Sequence, residues 1–199
     1  MGQLPRLSTS RIRRRPNPRR PLSTPEPQTA AIQSPRLRIH ALQPGDEARL
    51  EAVFAACPDW HLATGRPADP GAAAHEIAGL ATDAGRAIAV LSLEGSGEDV
   101  GAIGWWLHRP EAGMALLGTL LVVPSHRGQG LAREALGALE AWLVEAGVTE
   151  LRTAFPRRLL PLHPLVKALG FREMSIAEHQ KLGLQGAGTA LWQKPLEAR

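Results

Sequence analysis

Leu120-Leu121-Val122-Val123-Pro124-Ser125-His126-Arg127-Gly128-Gln129-Gly130-Leu131-Ala132 joins an apolar strand to a helix through a glycine turn. Ahead of it, Ala115 to Val123 is almost wholly apolar, which predicts a strand placed centrally in a sheet. Behind it, Leu131, Ala135, Leu139 and Trp142 recur every three or four residues, with Leu136 and Leu143 on the flank. That spacing predicts an amphipathic helix over 128–146, stopped by Gly147. The N-terminus of such a helix carries unpaired N–H groups and a partial positive charge, so it suits phosphate. Gly128 and Gly130 let the backbone approach a bulky anion, Ala132 keeps the first turn small, and Arg127 adds a charge at the mouth. The anion this suits is a pyrophosphate. Glycine at these positions is also what a plain strand-to-helix turn needs. A dinucleotide site would require an acid about 20 residues further on, ending a second parallel strand, and none fits well.

Working outward, Arg36 to Leu42 alternates polar and apolar residues as a half-buried strand does. Pro44-Gly45-Asp46 turns into a helix whose one face carries Leu50, Val53 and Phe54, and Cys57-Pro58-Asp59-Trp60 ends it. Ala72 to Ala84 reads as a second helix. Ala87 to Leu93 and Val100 to Leu107 read as strands around the turn Gly95-Ser96-Gly97. Beyond the long helix come a strand over 150–155, a helix over 162–169 stopped by Gly170, and strands over 171–178 and 189–194. The order β-α-α-β-β-β-α-β-α-β-β predicts an α/β (α+β) domain, with a central mixed sheet of about seven strands and helices on both faces.

The chain has 199 residues, one cysteine and no tyrosine. Cys57 alone makes no internal disulfide and no cysteine metal cluster, and the seven histidines show no metal-ligand spacing, so no metal is expected. The net charge of +4 is uneven. Residues 1–35 hold seven arginines, seven prolines and one acid, Glu26, leaving 16 basic and 18 acidic residues, a net −2, for 36–199. Residues 1–35 therefore read as a disordered basic tail whose removal leaves the melting temperature unchanged, and 36–199 as the folded domain. The folded part gives no electrostatic reason for a nucleic-acid partner; the tail would be the place for a nucleic-acid or ribosome contact. There is no apolar run of membrane-spanning length, and a cytoplasmic location is expected.

Arg127-x-x-Gly130-x-Ala132 after an apolar strand resembles the Arg/Gln-x-x-Gly-x-Gly/Ala signature of the GNAT superfamily of N-acetyltransferases. His163 to Gly170-Phe171 resembles that family's closing segment, and the likeness spans about residues 36–195. The resemblance implies a sheet splayed between its fourth and fifth strands, 115–123 and 150–155, with acetyl-CoA as co-substrate in the splay. It implies that Leu120, Leu121 and Val122 pair with the pantetheine arm. The backbone of Val122 would serve as oxyanion donor, and Arg127, Gly128, Gln129, Gly130, Leu131, Ala132 and Arg133 would hold the pyrophosphate. The acceptor would be a small-molecule or peptide amine, and the protein a monomer or homodimer.

Two departures from the family pattern bear on chemistry. No Glu lies between Met114 and Val123 to act as base; Glu111, in the preceding turn, is the nearest acid upstream. The family's tyrosine acid falls at Val166, which donates no proton. His163 is the nearest ionisable group there and is the candidate catalytic side chain beside a structural reading; His108, His126 and Thr119 are weaker ones. Trp105 and Trp106 must face opposite sides of a regular strand, so one is core and the other can line an acceptor groove. The missing Glu and Tyr also fit a protein that binds acyl-CoA without turnover.

Overall fold

The computed structural model describes residues 31–65, 69–181 and 188–197. Its elements are β1 (Ala31–Gln33), β2 (Leu37–Ala41), α1 (Glu47–Ala55), α2 (Pro58–Thr64), α3 (Ala72–Ala78), β3 (Arg86–Leu93), β4 (Asp99–Leu107), β5 (Met114–Val122), α4 (Leu131–Glu145), β6 (Glu150–Pro156), α5 (Leu162–Ala168), β7 (Arg172–Glu173), α6 (Ile176–Lys181) and β8 (Thr189–Pro195). The strands form one mixed sheet in the order β1-β2-β3-β4-β5-β6-β8-β7. Neighbours are antiparallel except β5 and β6, which are parallel.

The faces follow from strand alternation. Trp105 is fully buried and meets Trp142 of α4 edge-on at 5.8 Å. Trp106 points the other way, where Arg86 lies over its ring at 5.0 Å and pairs with Glu76 of α3. The apolar side of α1 (Leu50, Val53, Phe54) is buried as its spacing predicts. Helices thus cover both faces of the sheet.

The splay has a local cause. β5 and β6 pair only from Met114↔Glu150 to Leu117↔Thr153. On its other side, β5 pairs Leu117 with Trp105 and Thr119 with Gly104, so Gly118 is an extra, bulged residue. A Cβ on Gly118 would lie 2.1 Å from Cζ3 of Trp106, so any larger residue must displace that ring. Above this bulge β5 stays with β4, and β6 stays with β8 through Pro156↔Thr189, opening a wedge between them.

Several expectations need correcting. The sheet has eight strands, because Ala31–Gln33, inside the segment read as tail, forms β1 against β2. Residues 1–30 lie outside the described residues. Cys57 to Trp60 does not simply end α1: Pro58 opens α2, tolerated at a first turn where its missing N–H costs no bond, and left-handed Gly65 closes it. The second helix ends at Ala78 and tightens into a 3₁₀ turn, Gly79–Thr82. Helix α4 begins at Leu131 rather than Gly128. The strand expected over 171–178 shrinks to β7, followed by α6. A capping box explains α6: Glu178 N–H donates to Ser175 Oγ at 3.3 Å, and Ser175 N–H donates to the Glu178 carboxylate at 2.7 Å.

Candidate active site

The free edge of β5 is the first part of the site. Val123 N–H donates to the Val100 carbonyl at 2.9 Å. Bonded and non-bonded pairs alternate along an antiparallel ladder, so the next pair, Gly101↔Val122, is of the non-bonded kind. The peptide groups of Leu120 and Val122 therefore face away from β4, into the wedge, while Leu121 faces β4. The Val122 carbonyl shows this direction: Arg127 Nε donates to it at 2.8 Å, and the Cys57 thiol lies 3.9 Å from it.

The second part is the turn into α4. A 3₁₀ turn, Pro124–His126, leads to extended Arg127. Gly128 and Gly130 then take φ of 75° and 80°, which side chains with a Cβ adopt only under strain. Nothing stands within 4 Å of the place a Gly128 Cβ would occupy, so the turn is open above its backbone. Gly130 is the N-cap of the 15-residue α4 and supplies no side-chain cap, leaving first-turn N–H groups for an outside acceptor. Leu131 is buried as an anchor, and Ala132 is partly buried. Gly128, Gln129, Gly130 and Arg133 are exposed.

Arg127 does not stand at the mouth of this turn. Its guanidinium folds back and donates to both Asp59 carboxylate oxygens, at 2.7 and 3.1 Å, while Nε holds the Val122 carbonyl. These hydrogen bonds lower the Asp59 pKa and raise that of Arg127. Burial pushes the neighbouring Cys57 thiol up, against the pull of Arg127. The cation that reaches the turn is Arg36, whose Nη1 donates to the Gln129 carbonyl at 3.2 Å. Local pattern offers no hint of this, since the two residues are 93 apart in sequence.

The remaining candidates scatter. His163 is wedged edge-on between Phe155 at 5.5 Å and Trp192 at 5.3 Å, with Nε2 buried and unpartnered. Phe155 lies two residues past Thr153, on the stretch of β6 that has left β5, so His163 borders the β6 side of the wedge. Val166 packs on the core. Glu111 is exposed in its turn, and Thr119 is buried within β5. His108 accepts from Gly113 N–H at 3.4 Å, and His126 meets Ser125 Oγ at 3.0 Å. On the α3 side, Trp106 is half-exposed beside the bulge. A cavity of about 380 Å³ there is lined by Phe54, Trp60, His61, Asp69, His75 and Glu76. His61 is 6% exposed with an unpartnered Nδ1. The sequence reading did not single out His61, His75 and Asp69; the pair Trp60-His61, one residue past Cys57-Pro58, was the available signal.

Residues 36–172 match the family described as the acetyltransferase (GNAT) domain. An acetyltransferase from Thermus thermophilus superposes with a TM-score of 0.69 at 26% identity, covering 84% of this chain and 100% of that one. A probable GNAT-family acetyltransferase from Chromobacterium violaceum gives 0.70 at 19% identity, over 94% and 97%. A ribosomal L7/L12 alpha-N-protein acetyltransferase solved in complex with coenzyme A gives 0.67 at 13%, over 85% and 100%. Among curated protein sequences none matches the chain significantly.

Proposed function

Because the chain belongs to the GNAT acetyltransferase family, we propose that it transfers an acetyl group from acetyl-CoA to a primary amine. The observation that carries this is the continuity of two surfaces. The unpaired β5 edge at Leu120 and Val122 runs directly into the open, uncapped Gly128–Gly130 turn. A ligand with an amide-bearing arm and a pyrophosphate fits that sequence of donors: edge peptides for the arm, helix N-terminus for the phosphates. The thioester supplies an activated acyl carbonyl and a good leaving group.

In this reading Val122 N–H points at the thioester oxygen and stabilises its developing charge, which is worth several kcal/mol in a water-poor site. Arg127 holds the Val122 carbonyl and so fixes that peptide. The acceptor amine enters from the α3 side, past Trp106 and the cavity lined by Trp60 and His61. Its neutral nitrogen bonds to the acyl carbon, the C–S bond breaks with the sulfur leaving as thiolate, and the nitrogen gives up its second proton to the thiolate or to water, leaving the amide. An alkylamine has a pKa near ~10 and a thiol near ~8.5, so the amine must lose its proton first and the thiolate needs little help. With no acid on β5 and no tyrosine, water passes the proton to bulk, and positioning supplies most of the rate. His163 packs between rings, and we assign it a structural part. A cytoplasmic location is part of this proposal; separately, among the described residues no helix is long and apolar enough to cross a membrane.

Calorimetry with acetyl-CoA tests the donor. At about 100 times its Kd it should stabilise the fold by roughly 2.7 kcal/mol. Gly130→Glu should abolish the binding by placing bulk and negative charge in the turn. No heat and no thermal shift at millimolar acetyl-CoA would remove the reading. The missing family Glu and Tyr favour one second reading, a non-catalytic acyl-CoA-binding protein; tight binding without transfer to any of a broad amine and peptide panel would select it.

A further inference from the structure

We infer that Arg36 is the positioning residue of the phosphate turn: through the Gln129 carbonyl it aims the Gly130 N–H at the ligand phosphate, and it cancels the charge of Glu134 beside it. The proposal rests on the acetyl-CoA reading above.

Glu134 poses a problem for any anion at this helix. It sits in the first turn of α4, one turn from the N-cap Gly130. Its carboxylate would repel a pyrophosphate over the distance of a single turn. The chain answers from a remote segment, the turn between β1 and β2. Ser34 Oγ donates to Glu134 at 2.8 Å, Arg36 N–H at 2.8 Å and Arg36 Nε at 2.6 Å. The Arg36 guanidinium also lies 2.5 Å from the carboxylate as an ion pair. Burial pushes the Glu134 pKa up, but the bonds from Ser34 and Arg36 outweigh it and hold the carboxylate ionised. Nε and Nη2 of the guanidinium, both on that carboxylate, hold the Arg36 side chain despite its exposed position.

The same guanidinium has a second contact, and that one reaches into the turn. Nη1 donates to the Gln129 carbonyl, and Nη2 lies 3.8 Å from where a Gly130 Cβ would be. A trans peptide is planar, with C=O and N–H pointing oppositely. Holding the Gln129 carbonyl on Arg36 therefore turns the Gly130 N–H to the other side. Glycine at 130 frees one of the two torsions that orient the peptide between Gln129 and Gly130, so an external hold on its carbonyl helps decide its direction. Arg127 is unavailable for this work because Asp59 and Val122 occupy it. Arg36 does both with one planar fork, a task lysine performs poorly.

The test measures CoA binding to the full chain and to Arg36→Ala, Arg36→Lys and Asp59→Ala, with the Gly130 amide followed by ¹H–¹⁵N NMR. In the wild type, CoA should move the Gly130 amide proton downfield. Arg36→Ala should weaken CoA about tenfold or more, the scale of a charge-assisted hydrogen bond, and lose that shift. Its melting temperature without ligand should fall by about 2–4 °C, because Glu134 loses the Nε and Nη2 donors, so the Gly130 shift and not stability carries the test. Arg36→Lys should recover part of the affinity through charge but not the Gly130 shift. Asp59→Ala, which loosens Arg127 and leaves Arg36 in place, should keep the Gly130 shift. Arg36→Ala binding CoA within about twofold of wild type, or retaining the Gly130 shift, overturns the proposal. If the wild type itself neither binds CoA nor shifts, the donor reading fails, and the proposal falls with it.

Discussion

At Asp99 a carboxylate on β4 is held by Arg49 Nε at 2.9 Å, Arg49 Nη2 at 2.8 Å and Ser92 Oγ at 2.6 Å. Burial raises its pKa, but the Arg49 and Ser92 hydrogen bonds prevail and the net direction is down. A carboxylate whose folded pKa is depressed contributes stability above its unfolded value, near ~3.9, and loses it as pH falls through the folded value. The melting temperature should therefore fall as the pH drops below about 4, and Asp99→Asn should flatten that part of the profile. A variant whose acid limb matches wild type would show that Asp99 is not among the groups responsible. Gly118 makes a different kind of demand, purely steric. Gly118→Ala pushes a methyl into the Trp106 ring, and overpacking of this kind costs about 1–3 kcal/mol in urea unfolding. Adding Trp106→Leu should recover part of that loss, since residues in contact are non-additive. Full additivity would mean the ring is not what Gly118 accommodates.

Among the elements, α4 was the most legible. Its period placed Leu131, Ala135, Leu139 and Trp142 on one face with Leu136 and Leu143 on the flank, all of them buried but Trp142, which is partly so, and the glycines announced its start. The wedge was not legible from periodicity. Gly118 looks like one small residue in an apolar strand, and only the register of β4 against β5 reveals it as a bulge. The splay was expected solely because the glycine turn resembles a family that has one. Helix α6 shows the opposite failure. Ser175-Ile176-Ala177-Glu178 spells a capping box, yet the mixed stretch Phe171 to Glu178 reads as one strand, of which β7 (Arg172–Glu173) is the remnant. The cap should matter accordingly. Ser175→Ala removes the acceptor for Glu178 N–H and should cost about 1 kcal/mol, while Ser175→Asp should cost far less. Equal losses in urea melts would argue that the cap is incidental. The functional cation was hidden for a third reason: Arg127 sits in the motif and turns inward, while Arg36 sits elsewhere and turns in from a neighbouring hairpin.

For the whole molecule, the sharpest consequence concerns where the folded unit begins. Charge and proline content set that boundary at Arg36, but among the described residues the sheet already includes Ala31–Gln33. Ile32 pairs with Ile39 across β1 and β2 and is 5% exposed within the core. Ser34 adds a hydrogen bond to the ionised Glu134. Burying an Ile side chain is worth about 1.5–3 kcal/mol, and a hydrogen bond to a charged group about the same. Against this stands the entropy of ordering β1, about 1–2 kcal/mol per residue of backbone, which cancels much of the gain. The backbone hydrogen bonds of the ladder from Ala31↔His40 to Gln33↔Arg38, about 0.5–1.5 kcal/mol each, tip the balance toward folding by about 1 kcal/mol, or about 2–4 °C in melting temperature for a chain of this size. The comparison should be made between chains 31–199 and 36–199, so that only β1 and Ser34 differ. The shorter chain should melt lower by that amount. It should also bind acetyl-CoA more weakly, because Glu134 loses one of the donors that turn it away from the phosphate turn. Equal melting with weaker binding would assign residues 31–35 to the site alone. Equality in both would restore Arg36 as the true start of the domain.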